Sequence, residues 1–339
     1  MKVGTGTNAK TVAEIRMAAG RIEGLGYDVI ASSESGHNPF LPLVLAAEHT
    51  ERVQLLTSIA LAFVRSPMDM AYMAWDLQAM SNGRFLLGLG SQVRGHIVRR
   101  YGMEWVSPVP RMREYIQALR TIWDCFQNGT RLDFQGDHYR FNLMTPFFNP
   151  GPIGRPDVKI YLAAVNPGML QVAGEVCDGV LLHPFNTPRY TEEVVLPNLE
   201  KGVARSGRTL SDLDIGAGGF IVARSTEEEL EAARNATRSA IAHYASTRVY
   251  APVMHCHGWG DTAEKLYRMS IDGEWSQMAS QITDEMLEAF AVIGTFDEIA
   301  DQVRARHASY ATTVSLTLPE PAPPDDGPLR ELVRELRAI

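Results

Sequence analysis

"YDVIASSESGHNPFLPLVLAAEHTERVQLLTSIALAF", residues 27–63, holds the alternation that decides the architecture. "YDVIASS" is short and apolar and reads as a strand, "PFLPLVLAAEHT" as a helix, and "RVQLLTSIALAF" as the next strand. A strand–helix–strand order is the repeat of a parallel sheet, in which each crossover helix covers the sheet it connects. The first junction of that repeat, "SSESGHNPF", places Glu34, His37 and Phe40 directly after an apolar strand.

The same alternation extends in both directions. "KVGT" supplies a first strand, and "TVAEIRMAAGRIEGLG" a helix that stops at a glycine. "SPMDMAYMAWDLQAMSNG" is a helix with Ser66 as N-cap and Pro67 in its first turn, where the missing N–H is one the helix leaves unpaired anyway. "RFLLGLGS" is strand four and "VPRMREYIQALRTIWDCFQNG" a strongly periodic helix. "VKIYLAAV", "DGVLLHPF", "DLDIGAGGFIVA" and "TVSLTLP" read as strands five to eight. Eight such runs, nearly all followed by helices, favour an α/β (β/α)8 TIM barrel, whose chemistry sits on loops at the carboxyl ends of strands.

Residues 1–320 read as a single barrel domain with two insertions. Residues 131–157, before strand five, contain the hairpin-like "LDFQGDHYRF" and a proline-rich aromatic tract, and are expected to be lid-like because structureless loops of that length are usually functional. Residues 246–295, between strands seven and eight, form a helical insertion carrying "HCHGWGD", and 321–339 a linker with a terminal helix.

The chain has 339 residues, 45% of them hydrophobic and 21% charged, with a formal net charge of -8. No basic run is present to neutralise phosphates, so nucleic acid is not expected as a partner. Three separated cysteines without a CxxC argue against a disulfide framework or thiolate zinc site and for a reducing compartment. The start, "MKVGTGTNAKTVAEI", lacks the apolar core of a signal peptide, and no apolar run is long enough for a bilayer. A cytoplasmic enzyme acting on a small molecule, with no membrane association, is the expectation.

A histidine at a strand-end loop can move a proton near neutral pH, and a carboxylate can orient it, which makes Glu34 and His37 candidates. The competing reading is that Ser35 or Asn38 caps the next helix while the others are solvated. Thr57 and Ser58 put hydroxyls into an apolar strand. Gly88 and Gly90 end strand four before Ser91, Gln92, Arg94 and His96, and glycines there let a ring or a phosphate approach the backbone. Asn166, Pro167 and Gly168 open a helix whose free amides can hold an anion or a carbonyl. His183 closes strand six and is a pocket candidate or a satisfied core or rim histidine. His255 and His257 suggest a metal, but nothing nearby completes a ligand set, so no metal is expected and a structural or lid role is favoured. The aromatic tract Phe141, Phe147 and Phe148 reads as core, or, if mobile, as a shield against water.

In succession, "LGYDVIASSESGHNPFLPLVLAAEHTERVQLLTSIALAFVRSP", "GRFLLGLGSQ", "RMREYIQALRTIWDCFQ", "FQGDHYRF", "YLAAVNPGMLQVAGEVCDGVLLHPF" and "VIGTFDEIADQVRAR" resemble the luciferase-like monooxygenase superfamily, in particular its coenzyme F420-dependent oxidoreductase branch. The resemblance runs over roughly residues 2–318. It implies a barrel with a deazaflavin or flavin at the carboxyl-end face and a non-proline cis peptide at Ser58–Ile59, bulging toward the ring. It further implies Glu34 and His37 as the catalytic pair, and a cofactor tail near Ser91, Gln92 and His96 with backbone contacts at Ala164, Val165 and Asn166. Phe40 and His183 would line the substrate pocket.

Val93 stands where sugar-phosphate dehydrogenases of this branch carry a glutamate, which weighs against such a substrate. Gly4 stands where near relatives carry an acidic residue. The implied activity is hydride transfer between coenzyme F420 and a small organic substrate, in a homodimer or higher homo-oligomer. Two rivals stand beside it: an FMN-dependent monooxygenase using dioxygen and a flavin reductase partner, and a non-catalytic flavin-binding protein.

Overall fold

The computed structural model describes residues 1–319, 322 and 325–339. Eight strand positions make the barrel: β1 (Lys2–Gly6), β2 (Val29–Ser32), β3 (Gln54–Thr57, resuming at Ala60–Leu61), β4 (Phe85–Gly90), β5 (Lys159–Ala164), β6 (Gly179–Leu182), β7 (Asp214–Gly216) and β8 (Thr313–Ser315). Each pairs in parallel with the next, and β8 pairs with β1, so the sheet closes. The (β/α)8 expectation is met.

Outward-facing side chains of the strands are sealed under the helices: Ile30, Leu87, Leu162, Val180, Ile215 and Val314 are at most 3% exposed. Local signals set the helix ends. Thr11 and Glu14 form a capping box at Val12–Gly24, and Ser66 Oγ accepts the Asp69 N–H at 3.1 Å at the start of Pro67–Met80. Helix Pro108–Asn128 buries Met112, Tyr115, Ile116, Leu119, Ile122, Trp123 and Phe126, the stripe its periodicity predicts. Helix Gly327–Arg337 buries Leu329, Leu332, Val333 and Leu336 and is tied near the amino end of the barrel by Arg21–Asp326 (2.6 Å) and Arg337–Asp28 (3.2 Å). The proline-rich linker before it lies partly outside the described residues.

Two expectations about the insertions change. The tract expected as a lid is a strap over the outer helices. Tyr72 donates to Phe148 O (2.7 Å), Trp75 to Gly151 O (3.1 Å) and Asn149 to Cys125 O (3.1 Å), while Gln127 Oε1 accepts from Ile153 N (3.0 Å). Its hairpin, Phe134–Gln135 with Arg140–Phe141, docks on Glu114, which accepts three successive backbone N–H groups.

The run "DLDIGAGGFIVA" is two strands and not one. The chain leaves the barrel at Gly218–Gly219, where Gly219 takes a φ of 89°. Phe220–Arg224 then pairs in parallel with Ala291–Thr295, outside the barrel. The insertion is thus a peripheral strand–helices–strand unit spanning 220–295, wider than the helical stretch expected.

The closest strand packing lies between β3 and β4. Thr57 Oγ1 donates to Gly88 O (2.8 Å) and accepts from Gly88 N (2.9 Å). A Cβ on residue 88 would stand 1.9 Å from Thr57 O, and one on residue 90 would stand 2.4 Å from Ile59 Cδ1. These glycines admit β3, whereas the sequence suggested room for a ligand. Gly88→Ala is therefore expected to destabilise by about 2–3 kcal/mol or more, as overpacking against fixed backbone does. Gly20→Ala is the control: it is helical, with nothing within 4 Å of its Cβ, and gains about 0.5–1 kcal/mol from reduced chain entropy. Urea unfolding of both variants measures the contrast, and equal effects at the two positions would refute the packing account.

Candidate active site

Barrel interiors are normally filled by layers of bulky side chains. Here only the amino half is filled. Val29, Leu56, Leu86 and Tyr161 form a separate packed cluster, and Tyr161 donates to Asp214 Oδ2 at 2.5 Å. Burial pushes the Tyr161 phenol far upward, so it stays protonated. Above this floor the register turns Gly6, Ala31, Gly88, Ala163, Leu181, Gly216 and Ser315 inward, nearly all of them small. Gly6, Ser315 and Ser58 are exposed, and Ala31, Ala163, Leu181 and Gly216 half-buried, although they lie inside a closed sheet. The carboxyl half is a hollow that water reaches.

One wall is the β3 bulge. The Ser58–Ile59 peptide is cis, as the resemblance implies. Ser58 N donates to Ser32 O (2.8 Å) and Glu34 N to Ile59 O (3.3 Å), so the bulge hangs from the loop after β2. Glu34 holds it further. Its carboxylate accepts from Arg65 Nη1 and Nη2 at 2.7 Å each and from Leu61 N at 2.8 Å, and its side chain is only 8% exposed. That bidentate pair leaves Glu34 a clamp by geometry, with little capacity free for a ligand.

Phe40 is corrected from pocket wall to core. It is 6% exposed, its ring centroid 6.3 Å from that of Phe85, and the Arg65 guanidinium stands 5.8 Å over it. His37 is exposed and has no hydrogen-bond partner among the described residues. In the same loop Asn38 Oδ1 accepts the Phe40 N–H at 2.9 Å, but the helix N-cap is Pro39, so neither Ser35 nor Asn38 caps it, and Arg100 donates to Ser35 O from the loop after β4.

The residues expected around a cofactor tail follow two neighbouring strands, β4 and β5. Gln92 has a φ of 59°, and its side-chain oxygen accepts Val93 N at 2.9 Å. Ser91 Oγ donates to Gln92 O (3.1 Å), and His96 is exposed on the short helix Arg94–Arg99. Ala164 is buried, and Val165 O accepts from Tyr190 (3.3 Å). Asn166 precedes helix Pro167–Val176 without a side-chain capping bond, and its amide nitrogen donates to Val249 O at 3.0 Å, tying the insertion to the end of β5.

His183, inward-facing after β6, lies four strands around the barrel from β2 and so across the hollow from the His37 loop. Its Nδ1 accepts Phe185 N at 2.9 Å, and burial holds its pKa down at about 4. It packs between Tyr244 and Tyr250, which sequence reasoning missed. They lie more than sixty residues away, in a segment whose pattern carries no strand signal, and nothing in their spacing links them to His183.

Elsewhere, His257 Nε2 pairs with Thr187 Oγ1 (2.8 Å) and its ring stacks on Trp259 at 4.2 Å, while His255 packs on Gly260. A cleft of about 650 Å³ on the outside of the insertion is lined by Arg234, Arg238 and Asp284, already in ion pairs. No described helix is long and apolar enough to cross a membrane.

A Mycobacterium tuberculosis protein of uncharacterized activity is 47% identical over 289 residues, 85% of each chain. The 5,10-methylenetetrahydromethanopterin reductase of Archaeoglobus fulgidus is 27% identical over 296 residues, 86% of this chain and 84% of its own. The solved structure of the coenzyme F420-dependent tetrahydromethanopterin reductase from Methanopyrus kandleri shares the fold, with a TM-score of 0.77 at 20% identity over 99% of this chain and 96% of its own. The model of the luciferase-like monooxygenase family matches residues 1–313, and the chain belongs to that family.

Proposed function

We propose that the protein is an oxidoreductase that transfers hydride between coenzyme F420 and a small organic substrate in the carboxyl-end hollow. The observation that carries the reading is the hollow itself: a closed barrel floored by the Tyr161 cluster and lined above it by glycine, alanine and serine, which fits a planar tricyclic ring lying against the β3 bulge. The reductases of Archaeoglobus fulgidus and Methanopyrus kandleri support it, the latter named as dependent on F420. Bound F420 supplies a two-electron hydride carrier. The barrel contributes orientation and water exclusion.

In this reading Ser58 and Ile59 form the backing of the ring, and the Glu34–Arg65 pair keeps them in place. His37, on the open rim, gives a proton to or takes one from the substrate. The backbone at Ala164, Val165 and Asn166 and the loop of Ser91, Gln92 and His96 border the outer part of the site. A second reading, FMN with dioxygen, is favoured by the family's own description as monooxygenases. Anaerobic assay with reduced F420 against a panel of carbonyl and imine substrates separates the two. Cofactor oxidation without oxygen supports hydride transfer, and turnover only with oxygen uptake supports oxygenation.

Two variants divide the roles after β2. His37→Ala is expected to lower kcat by about 10²–10⁴-fold, the usual range for a lost acid–base group, with F420 affinity nearly unchanged. Equal losses in both would make His37 structural. Glu34→Gln behaves in the opposite way: breaking a mostly buried pair costs about 3–5 kcal/mol of stability and weakens cofactor binding together with it. Intact stability and binding with turnover alone lost would instead make Glu34 the proton carrier.

A further inference from the structure

Three rings from distant parts of the chain meet at the carboxyl end of β6. His183 stacks on Tyr250 with ring centroids 4.7 Å apart and meets Tyr244 edge-on at 4.6 Å. Phe185 and Phe290, stacked at 4.4 Å, form an apolar base against the two tyrosines. Since His183 Nδ1 accepts the Phe185 N–H, the proton of the neutral ring sits on Nε2. Neither that N–H nor the hydroxyls of Tyr244 and Tyr250 has a partner among the described residues. None of the three is a buried orphan, a condition found there only at Tyr27 and Gln54. They are unpartnered polar tips on three half-buried rings.

The three rings are also without charge. Burial holds His183 at about 4, pushes Tyr250 up to about 12 and raises Tyr244, so all three are neutral at ordinary pH. The neighbouring cation, Arg248, lies over the ring of Tyr267, 4.0 Å from its centroid. The turn carrying Tyr250 is itself fixed to the barrel through Asn166 and Val249 O.

We propose that His183, Tyr244 and Tyr250 form the substrate-recognition subsite of the hollow, and that it takes an uncharged, hydrogen-bond-accepting group such as a carbonyl or amide oxygen on a ring. A phosphate or carboxylate would lose its hydration there against no counter-charge, whereas a neutral acceptor gains donors that nothing else uses. The proposal rests on the reading of the hollow as the reaction site, and it makes the peripheral unit at 220–295 a determinant of specificity.

Benzamide and benzoate, matched in size and different in charge, are the probes, titrated by ligand-observed NMR with and without F420. Benzamide is expected to bind at least about tenfold more tightly than benzoate, reflecting the unpaired charge. The Tyr244→Phe/Tyr250→Phe variant keeps both rings, and neither hydroxyl holds the fold together. It should weaken benzamide about 3–10-fold for the lost hydrogen bonds, leaving F420 affinity within about twofold. Binding of benzoate as well as benzamide, discrimination unchanged in the variant, or binding of neither probe would overturn the subsite. Selectivity for benzamide in a protein that does not bind F420 keeps the subsite and removes the hydride-transfer reading. F420 binding without selectivity removes the subsite alone.

Discussion

Between β3 and β4, ordinary strand spacing leaves no room for both the Thr57 carbonyl and a side chain on residue 88, where a Cβ would come within 1.9 Å of that oxygen. The conflict is resolved by glycine at 88 and again at 90, where a Cβ would meet Ile59. With those side chains removed, β3 can press into the barrel wall, and Thr57 joins it to both backbone groups of Gly88. The displaced segment Ser58–Ile59 then overhangs the hollow. Glu34 and Arg65 complete the arrangement from the other side, a nearly buried pair whose carboxylate also takes the Leu61 N–H. Charge is thus spent on positioning backbone, and the hollow is left with small, neutral surfaces and an exposed histidine at its rim.

The opposite wall follows a different logic. It is aromatic and uncharged, and it is assembled from β6 and from a unit that leaves the barrel at Gly219. An oxidoreductase whose cofactor carries the electrons needs little from its protein beyond orientation, a proton path and a substrate pocket. In the proposed function the two walls divide those tasks.

The barrel was legible because its strands alternate with helices of clear period and recognisable ends, Thr11 and Ser66 among them. The cis peptide was legible only through family resemblance, since "TSIA" carries no local mark of it. Gly88 and Gly90 were visible as glycines, but the reason for them was not: a close approach by a neighbouring strand and one by a ligand write the same residue. Phe40 was misplaced because an aromatic after a site loop looks alike whether it turns toward a pocket or the core. Tyr244 and Tyr250 were illegible, since their partner His183 is more than sixty residues away and only tertiary packing joins them. The break at Gly218–Gly219 was hidden inside an apolar run that reads through as one strand.

The central claim is that a deazaflavin occupies the hollow, and the direct measurement is a titration of the protein with F420 and with FMN, followed by cofactor absorbance. It is run in parallel on Gly6→Leu, whose side chain would project from an inward position where only Ala31 O, at 3.9 Å, approaches a Cβ. Saturable binding that prefers F420 and is lost when Gly6→Leu fills the hollow is the predicted result. F420 binding undiminished in Gly6→Leu, or selective binding of FMN, would contradict it.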